Sequence, residues 1–296
     1  MRAIVTGGAG FIGSHVVDAL LARGDDVWVV DNLATGSREN VAGGAELVVA
    51  DIREPLEQIF DEARPELCFH LAAQADVITS VERPDYDAEV NVLGTVRVLE
   101  AAREHDTAVV FSSTGGAIYG ECERPAREDD VLRPLSPYGT AKLAGEAYLG
   151  TWGRLYGMRN ASLRLGNVYG PRQLPSLEGG VVAIFLDRMR AGQPTQIFGD
   201  GLQSRDFVYV GDVAQALLAA AGREGVYNVG TGVDTSIVEL HRLCRRVTGS
   251  EQAPEHAPER PGELRRSVLD TELTVRELGW RAEHSLEDGL RATWPA

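Results

Sequence analysis

Ala3-Ile4-Val5-Thr6-Gly7-Gly8-Ala9-Gly10-Phe11-Ile12-Gly13 sets the architecture of this 296-residue chain. Ala3 to Val5 is an apolar run of the length a buried strand needs. Phe11 to Arg23 then puts Ile12, Val16 and Leu20 at helical spacing before Gly24 stops the helix. Between them stand Gly7, Gly10 and Gly13. Gly7 permits a tight turn, Gly10 lets a pyrophosphate approach the backbone, and Gly13 lets helix and strand pack closely. The unpaired N–H groups of the first helical turn, around Phe11 and Ile12, can then hold phosphate. The alternative is a tight turn with no ligand, and the strand-then-helix context favours the dinucleotide.

Working outward, Val27 to Val30, Glu46 to Ala50, Leu67 to Leu71, Ala108 to Phe111 and Ala161 to Leu165 read as further short strands. Amphipathic helices fit between them, notably Asp85 to Glu104 and Ser136 to Tyr156. Strands alternating with helices imply an α/β protein with a Rossmann-type, doubly wound parallel sheet covered on both faces. Beyond Gly170, Pro171, Pro175, Gly179-Gly180, Pro194 and Gly199 break the pattern, and Ala253 to Gly262 is proline-rich with little regular structure. The expected organisation is a dinucleotide-binding domain over 1–168 and a smaller mixed α/β substrate portion over 169–296. The chain crosses back at a strand within 205–230, near Val226 to Val229.

Hydrophobic content of 44% and charged content of 25% are ordinary for a globular enzyme. A formal charge of −15 argues against nucleic acid or an anionic membrane surface as partner. The three cysteines, Cys68, Cys122 and Cys244, are scattered, with no metal-ligand spacing, so no metal is expected and a reducing cytoplasm is. Met1 leads straight into the first strand, which leaves no room for a targeting leader, and no apolar run is long enough to cross a bilayer.

Asp31 ends the second strand 18 residues after Gly13, where a carboxylate accepts from ribose hydroxyls. It would repel a 2′-phosphate, and Asn32 and Leu33 add no positive charge, so NAD is favoured over NADP. Asp51-Ile52 can bracket an adenine or simply cap the next helix. Leu71-Ala72-Ala73-Gln74 follows the fourth strand with small residues that allow close approach to a cofactor, and His70 reads as a packed strand histidine rather than a base. Asn91 is a helix-interior polar residue or a partner of that loop. Ser112, Ser113 and Thr114 lie at the carboxyl end of the fifth strand, where parallel sheets place their sites. Thr114 is preferred over Ser113 as the hydroxyl that shares a proton with a base.

The candidate base is Tyr138, in Ser136-Pro137-Tyr138-Gly139-Thr140-Ala141-Lys142, although the same spacing also arises by chance on a solvated helix. With Pro137 opening a helix, Tyr138 and Lys142 share one face, one turn apart. An ammonium beside a phenol favours the phenolate and lowers its pKa, which suits it to take a proton from a sugar or alcohol hydroxyl.

These stretches together resemble the extended short-chain dehydrogenase/reductase superfamily, and within it the NAD-dependent epimerase/dehydratase family and its UDP-glucose 4-epimerase group. The resemblance runs from the glycine turn through Asn91-Val92-Leu93-Gly94-Thr95 and Tyr138 to Lys142. It continues in Gly166-Asn167-Val168-Tyr169-Gly170, Arg205-Asp206-Phe207 and Asn228-Val229-Gly230, so it covers essentially the whole chain. It implies tightly held NAD, a UDP-sugar and reversible hydride exchange at C4. Tyr138 would be the base, Lys142 the partner of the nicotinamide ribose, and Thr114 the bridge to substrate. It also assigns Asn167, Arg205 and Arg260 to the diphosphate, Glu263 to the uridine ribose and a homodimer to the Asp85 to Glu104 and Tyr138 helices. Ala75 and Ser267 depart from members that carry lysine and tyrosine there. The small Ser267 implies room for a C2 acetamido group. The rivals are a nucleotide-sugar dehydratase, a reductase, a uronic acid 4-epimerase using Arg83 or Arg172, and a non-catalytic NAD-binding regulator. Gly115-Gly116 stands where a dehydratase needs an acid and a base.

Overall fold

The computed structural model describes residues 1–175, 180–260 and 262–294. Six parallel strands come from the first part of the chain: β1 (Arg2–Thr6), β2 (Asp26–Asp31), β3 (Glu46–Val49), β4 (Leu67–His70), β5 (Ala108–Thr114) and β6 (Ala161–Leu165). A seventh, β7 (Gly225–Val229), pairs with β6 in register Val229 to Leu165. The sheet order is β7-β6-β5-β4-β1-β2-β3, all parallel, a Rossmann-type doubly wound sheet. The order reverses between β1 and β4, so their carboxyl ends frame a crevice.

Side-chain alternation along each strand feeds two cores. Ala3, Val5, Val27, Val29, Phe69 and Val110 pack under the helices Phe11–Ala22 and Val210–Ala219, through Val16, Leu20, Val213 and Leu217. Ile4, Val30, Cys68, Val109 and Phe111 face the other way, onto Phe60, Val98, Leu99 and Leu149. Those residues lie on the helices Glu57–Ala63, Gly94–Arg103 and Pro137–Tyr156. The same alternation continues past Phe111. β5 runs through Thr114, three residues further than hydropathy suggests, because Ser112 to Thr114 pair with Leu163 to Leu165 despite their polarity.

Described residues from the later part of the chain build a smaller layer around Val182, Phe185, Ile197, Phe207, Leu240 and Leu290. Ser204–Arg205 lies between Thr235–Ser236 and Arg266–Ser267 in a three-stranded sheet. The proline-rich segment is more regular than its composition suggests: Glu255–Ala257 forms a strand beside Gln196–Phe198. A small cluster of Ile118, Tyr119, Ala126 and Leu269 joins the two layers. No helix among the described residues is long and apolar enough to cross a membrane.

Candidate active site

The glycine turn has the shape its spacing predicts. Gly7 is at φ +71°, and a Cβ there would lie 2.6 Å from the Ala72 nitrogen, so β4's following loop crosses directly over it. A Cβ on Gly13 would lie 2.1 Å from Gly7 O. Gly10 differs, because a Cβ there would meet only Gly7 O, at 3.2 Å, and would otherwise point into open space. Gly10 caps the Phe11–Ala22 helix without any side-chain hydrogen bond, and no acid stands in the first turn. The N–H groups of Phe11 and Ile12 therefore have no partner within the helix. This cradle fits a pyrophosphate.

Asp31 is buried behind the turn. Its Oδ2 accepts from Ala9 N (3.0 Å) and its Oδ1 from Leu33 N (2.8 Å), which leaves lone pairs on both oxygens for ribose hydroxyls. Asp51 is more fully engaged. Arg53 reaches it through its backbone N, Nε and Nη2, and Asn32 donates to its Oδ2 at 2.9 Å. Those contacts hold the carboxyl well below its usual range. Asp51 is thus first the anchor of Arg53 and Asn32, while Ile52 beside it is buried against Gly94.

His70 is a structural histidine. Thr95 Oγ1 donates to Asn91 O (2.7 Å), so it accepts from His70 Nε2 (3.0 Å). Thr6 Oγ1 in turn gives its proton to Nδ1 (2.7 Å) and accepts from Ala72 N (3.2 Å). A neutral ring satisfies this chain, and burial pushes the imidazole down to about 3. Asn91 belongs to the same scaffold. It sits in one wide helical turn, Glu89–Leu93, between Pro84–Ala88 and Gly94–Arg103. From there its Oδ1 accepts from Gln74 N and its Nδ2 donates to Gln74 O and Asp87 Oδ1. Only 2% exposed, Asn91 is the second of the two things its sequence context allowed: it holds the Leu71-Ala72-Ala73-Gln74 loop in place.

Ser136 caps the Pro137–Tyr156 helix through Gly139 N. A Cβ on Gly139 would lie 2.5 Å from Ala117 O, so the helix start abuts the turn after Thr114. Lys142 Nζ donates to Ser112 O (2.9 Å) and lies 4.7 Å from the Phe111 ring centre and 5.9 Å from that of Tyr138. Lys142 is the only lysine in a chain with 28 arginines. Where this chain needs a permanent cation it uses arginine. At position 142 it keeps the compact ammonium whose pKa responds to its surroundings.

The expectation that Lys142 lowers the Tyr138 pKa is not met. Burial, reinforced by Asp87, pushes the phenol up to about 12, and burial brings Lys142 down to about 8. Desolvation disfavours the charged form of each group, and at this separation it outweighs their mutual attraction.

Ser113 is also corrected. Strand alternation turns its hydroxyl under the helix, where it donates to Glu146 Oε1, so it is not free for a substrate. Ser112 contributes its carbonyl to Lys142. Thr114 is half-buried at the strand end, and a Cβ on Gly116 would lie 3.9 Å from its Oγ1 and 3.7 Å from Asn167 Oδ1. Thr114 and Asn167 therefore border one small space. At Gly115 a side chain would strike Leu269 at 2.6 Å.

Arg205, Glu263 and Ser267 come together in the smaller layer. Arg205 Nη2 pairs with Glu263 Oε1 (3.1 Å), Nη1 donates to Ser204 O and Leu264 O, and Arg205 is in register with Ser267. Arg260 is exposed and lies over the Phe198 ring at 4.0 Å. Of the arginines offered for a sugar carboxylate, Arg172 pairs with Asp18 (2.7 Å) and Arg83 covers Tyr86 (4.5 Å). Sequence reasoning missed Glu146, Arg164 and Asp87. Extending the four-residue step from Tyr138 and Lys142 would have reached Glu146.

A glycine turn after β1 and a tyrosine–lysine pair beside the end of β5, both at the carboxyl ends of a parallel sheet, define the class as a dinucleotide-dependent enzyme of the dehydrogenase type. Residues 3–230 match the model of the NAD dependent epimerase/dehydratase family, and the chain belongs to that family. It is 46% identical to the UDP-glucose 4-epimerase of Mycolicibacterium smegmatis, over 99% of this chain and 97% of that one. The UDP-glucose 4-epimerase of Thermotoga maritima, solved with UDP-glucose, superposes with a TM-score of 0.96 at 46% identity, covering 99% and 97% of the two chains. That of Thermus thermophilus, solved with NAD, gives 0.94 at 49% identity with the same coverage.

Proposed function

We propose that this chain is an NAD-dependent nucleotide-sugar 4-epimerase that interconverts UDP-glucose and UDP-galactose through a transient 4-keto sugar. The carrying observation is Tyr138 beside the chain's only lysine, at the same carboxyl end of the sheet as the glycine cradle. Bound NAD supplies a reversible hydride acceptor. The protein moves the proton: Tyr138 Oη takes it from the C4 hydroxyl as C4 gives up its hydride, and Thr114 Oγ1 bridges the two oxygens. After the ketone turns its other face, the hydride returns and Tyr138 gives the proton back, so C4 is inverted with no net redox change. Lys142 holds the nicotinamide ribose.

Gly7, Gly10, Phe11, Ile12 and Gly13 hold the pyrophosphate of NAD. Asp31 and Asn32 take its adenosine ribose, Asp51 and Ile52 flank the adenine, and the Leu71 to Gln74 loop with Ser112 lines the cofactor's length. Asn167, Arg205 and Arg260 hold the sugar diphosphate, since guanidinium groups match phosphate oxygens in pairs. Glu263 serves the uridine ribose after Arg205 exchanges it for phosphate. Ser267 leaves room for a C2 acetamido group, so UDP-N-acetylhexosamines are also substrates. The working form is a cytoplasmic homodimer.

NMR of a UDP-galactose incubation is expected to reveal UDP-glucose, with NAD recovered from the denatured enzyme. No conversion by NAD-loaded protein would sink the assignment. A rate on UDP-GlcNAc about a thousandfold below that on UDP-glucose would remove the wider specificity.

A further inference from the structure

Glu146 stands one turn beyond Lys142, as Lys142 stands one turn beyond Tyr138. Its side chain is 5% exposed. The carboxylate accepts from Ser113 Oγ (2.5 Å) and from Arg164 Nε and Nη2 (3.0 and 2.7 Å). Arg164, itself 4% exposed on β6, gives Nη1 to Tyr119 Oη (2.8 Å) and Glu128 O (3.0 Å). Tyr119 donates to Asn228 Oδ1 on β7 (2.7 Å), and Asn228 Nδ2 reaches Ala126 O and Asp270 O. Asp270 lies three residues beyond Ser267. One buried polar chain therefore links the tyrosine helix, the end of β5 and the segment beside Arg205.

Stability alone does not account for this chain of contacts. A buried ion pair returns about what its desolvation costs, and apolar residues of equal volume commonly serve as well. Two things apolar residues cannot do here. They cannot tie Ser113, the residue between Lys142's acceptor carbonyl and Thr114, to a fixed height on the helix. Nor can they put a negative charge near Lys142. The groups that face that ammonium are Asp87 from Pro84–Ala88, Glu146 and Tyr138 from its own helix, neutral His70 from β4 and the Phe111 ring from β5. Of these only Asp87 and Glu146 favour its charged form.

We propose that Glu146, clamped by Arg164, is a positioning residue of the hydride-exchange site: through Ser113 it sets Thr114 and Lys142 at their working separation, and it places a carboxylate one helical turn from the lysine. Its kinetic consequence rests on the epimerase reading, whereas its electrostatic consequence does not.

Because Lys142 is the only lysine, 13C-lysine labelling gives a single side-chain signal whose titration is readable in the whole protein without substrate. In Glu146→Gln the Lys142 midpoint is expected to fall by about one pH unit. The same variant should lose about tenfold in kcat on UDP-galactose with KM unchanged, as a small misplacement at the reacting atoms does. The alkaline limb of its kcat profile should move down with the lysine. The combined variant Ser113→Ala, Glu146→Leu, Arg164→Met exchanges the polar cluster for apolar volume. It should melt close to the parent yet show the same kcat loss. A Glu146→Gln protein with the parent's lysine midpoint and kcat overturns the proposal, and so does a combined variant with the parent's kcat. If the unmodified enzyme converts no UDP-sugar, the function falls while the Lys142 titration still decides the role of Glu146.

Discussion

Burial shifts Tyr138 up and Lys142 down, each toward its neutral form. A phenol at about 12 cannot take a proton at neutral pH, so the site is not armed by the lysine alone. A cationic nicotinamide ring in the crevice would add the missing positive charge. The Tyr138 phenol, followed by ultraviolet difference titration against Tyr138→Phe, is therefore expected to ionise at lower pH in NAD-loaded than in NAD-stripped protein. Equal midpoints would refute that. Lys142 gives a second prediction, about stability. Its pKa falls from 10.5 unfolded to about 8 folded, so between those values the unfolded chain binds more protons and stability rises with pH. Below pH 8 the fold carries a buried ammonium at a cost of at most about 3 kcal/mol. Lys142→Met should therefore raise the melting temperature at pH 7, by roughly 2–4 °C per kcal/mol relieved, while abolishing turnover. The advantage should shrink toward pH 10, and a lower melting temperature at pH 7 would count against it. The pair was legible in the sequence because four-residue spacing fixes a helix face. The direction of its pKa shifts was not, because burial depends on the whole fold.

At the scale of elements, the strand–glycine–helix unit was the most legible part of the chain, since each glycine answers a separate steric demand. Gly13→Ala would drive a methyl into Gly7 O and should cost at least about 1–3 kcal/mol, read by urea unfolding. Gly10→Ala meets only one close atom, so it should unfold within about 1 kcal/mol of the parent while retaining far less NAD after gel filtration. Equal NAD retention in Gly10→Ala would show that the open side of the turn is not the ligand side. Other elements hid from the sequence for identifiable reasons. Ser112 to Thr114 are polar, yet they extend β5 because β6 is there to pair with them. Glu255–Ala257 is a strand only because Gln196–Phe198 lies alongside, a long-range pairing that local composition cannot announce. The wide turn at Asn91 likewise follows from the Gln74 loop it must reach.

Over the whole molecule, the site exists because the chain leaves the sheet after β6 and returns to it at β7. Ties across that excursion keep the two layers in register: His15 Nε2 with Pro171 O, Arg172 with Asp18, and Asn228 Nδ2 with Ala126 O and Asp270 O. The outer surface of the tyrosine helix carries a different kind of information. Tyr148, Trp152 and Tyr156 form an edge-to-face ladder with ring centres 5.6 and 5.8 Å apart. Arg103 from the neighbouring helix lies 5.1 Å over Tyr156, so the two helices form one continuous face. Leu93, Leu155 and Tyr156 on that face are 52%, 65% and 49% exposed. A chain of net charge −15 repels its own copies, and an apolar, aromatic surface on it is a natural place for two copies to meet. A two-fold axis would set the same two helices of each copy against each other as a four-helix contact. Equilibrium sedimentation should then return twice 31.9 kDa, and Leu93→Glu with Tyr148→Glu should return 31.9 kDa with bound NAD retained. A parent protein sedimenting at the mass of one chain would remove the dimer and leave the aromatic ladder as a feature of the surface alone.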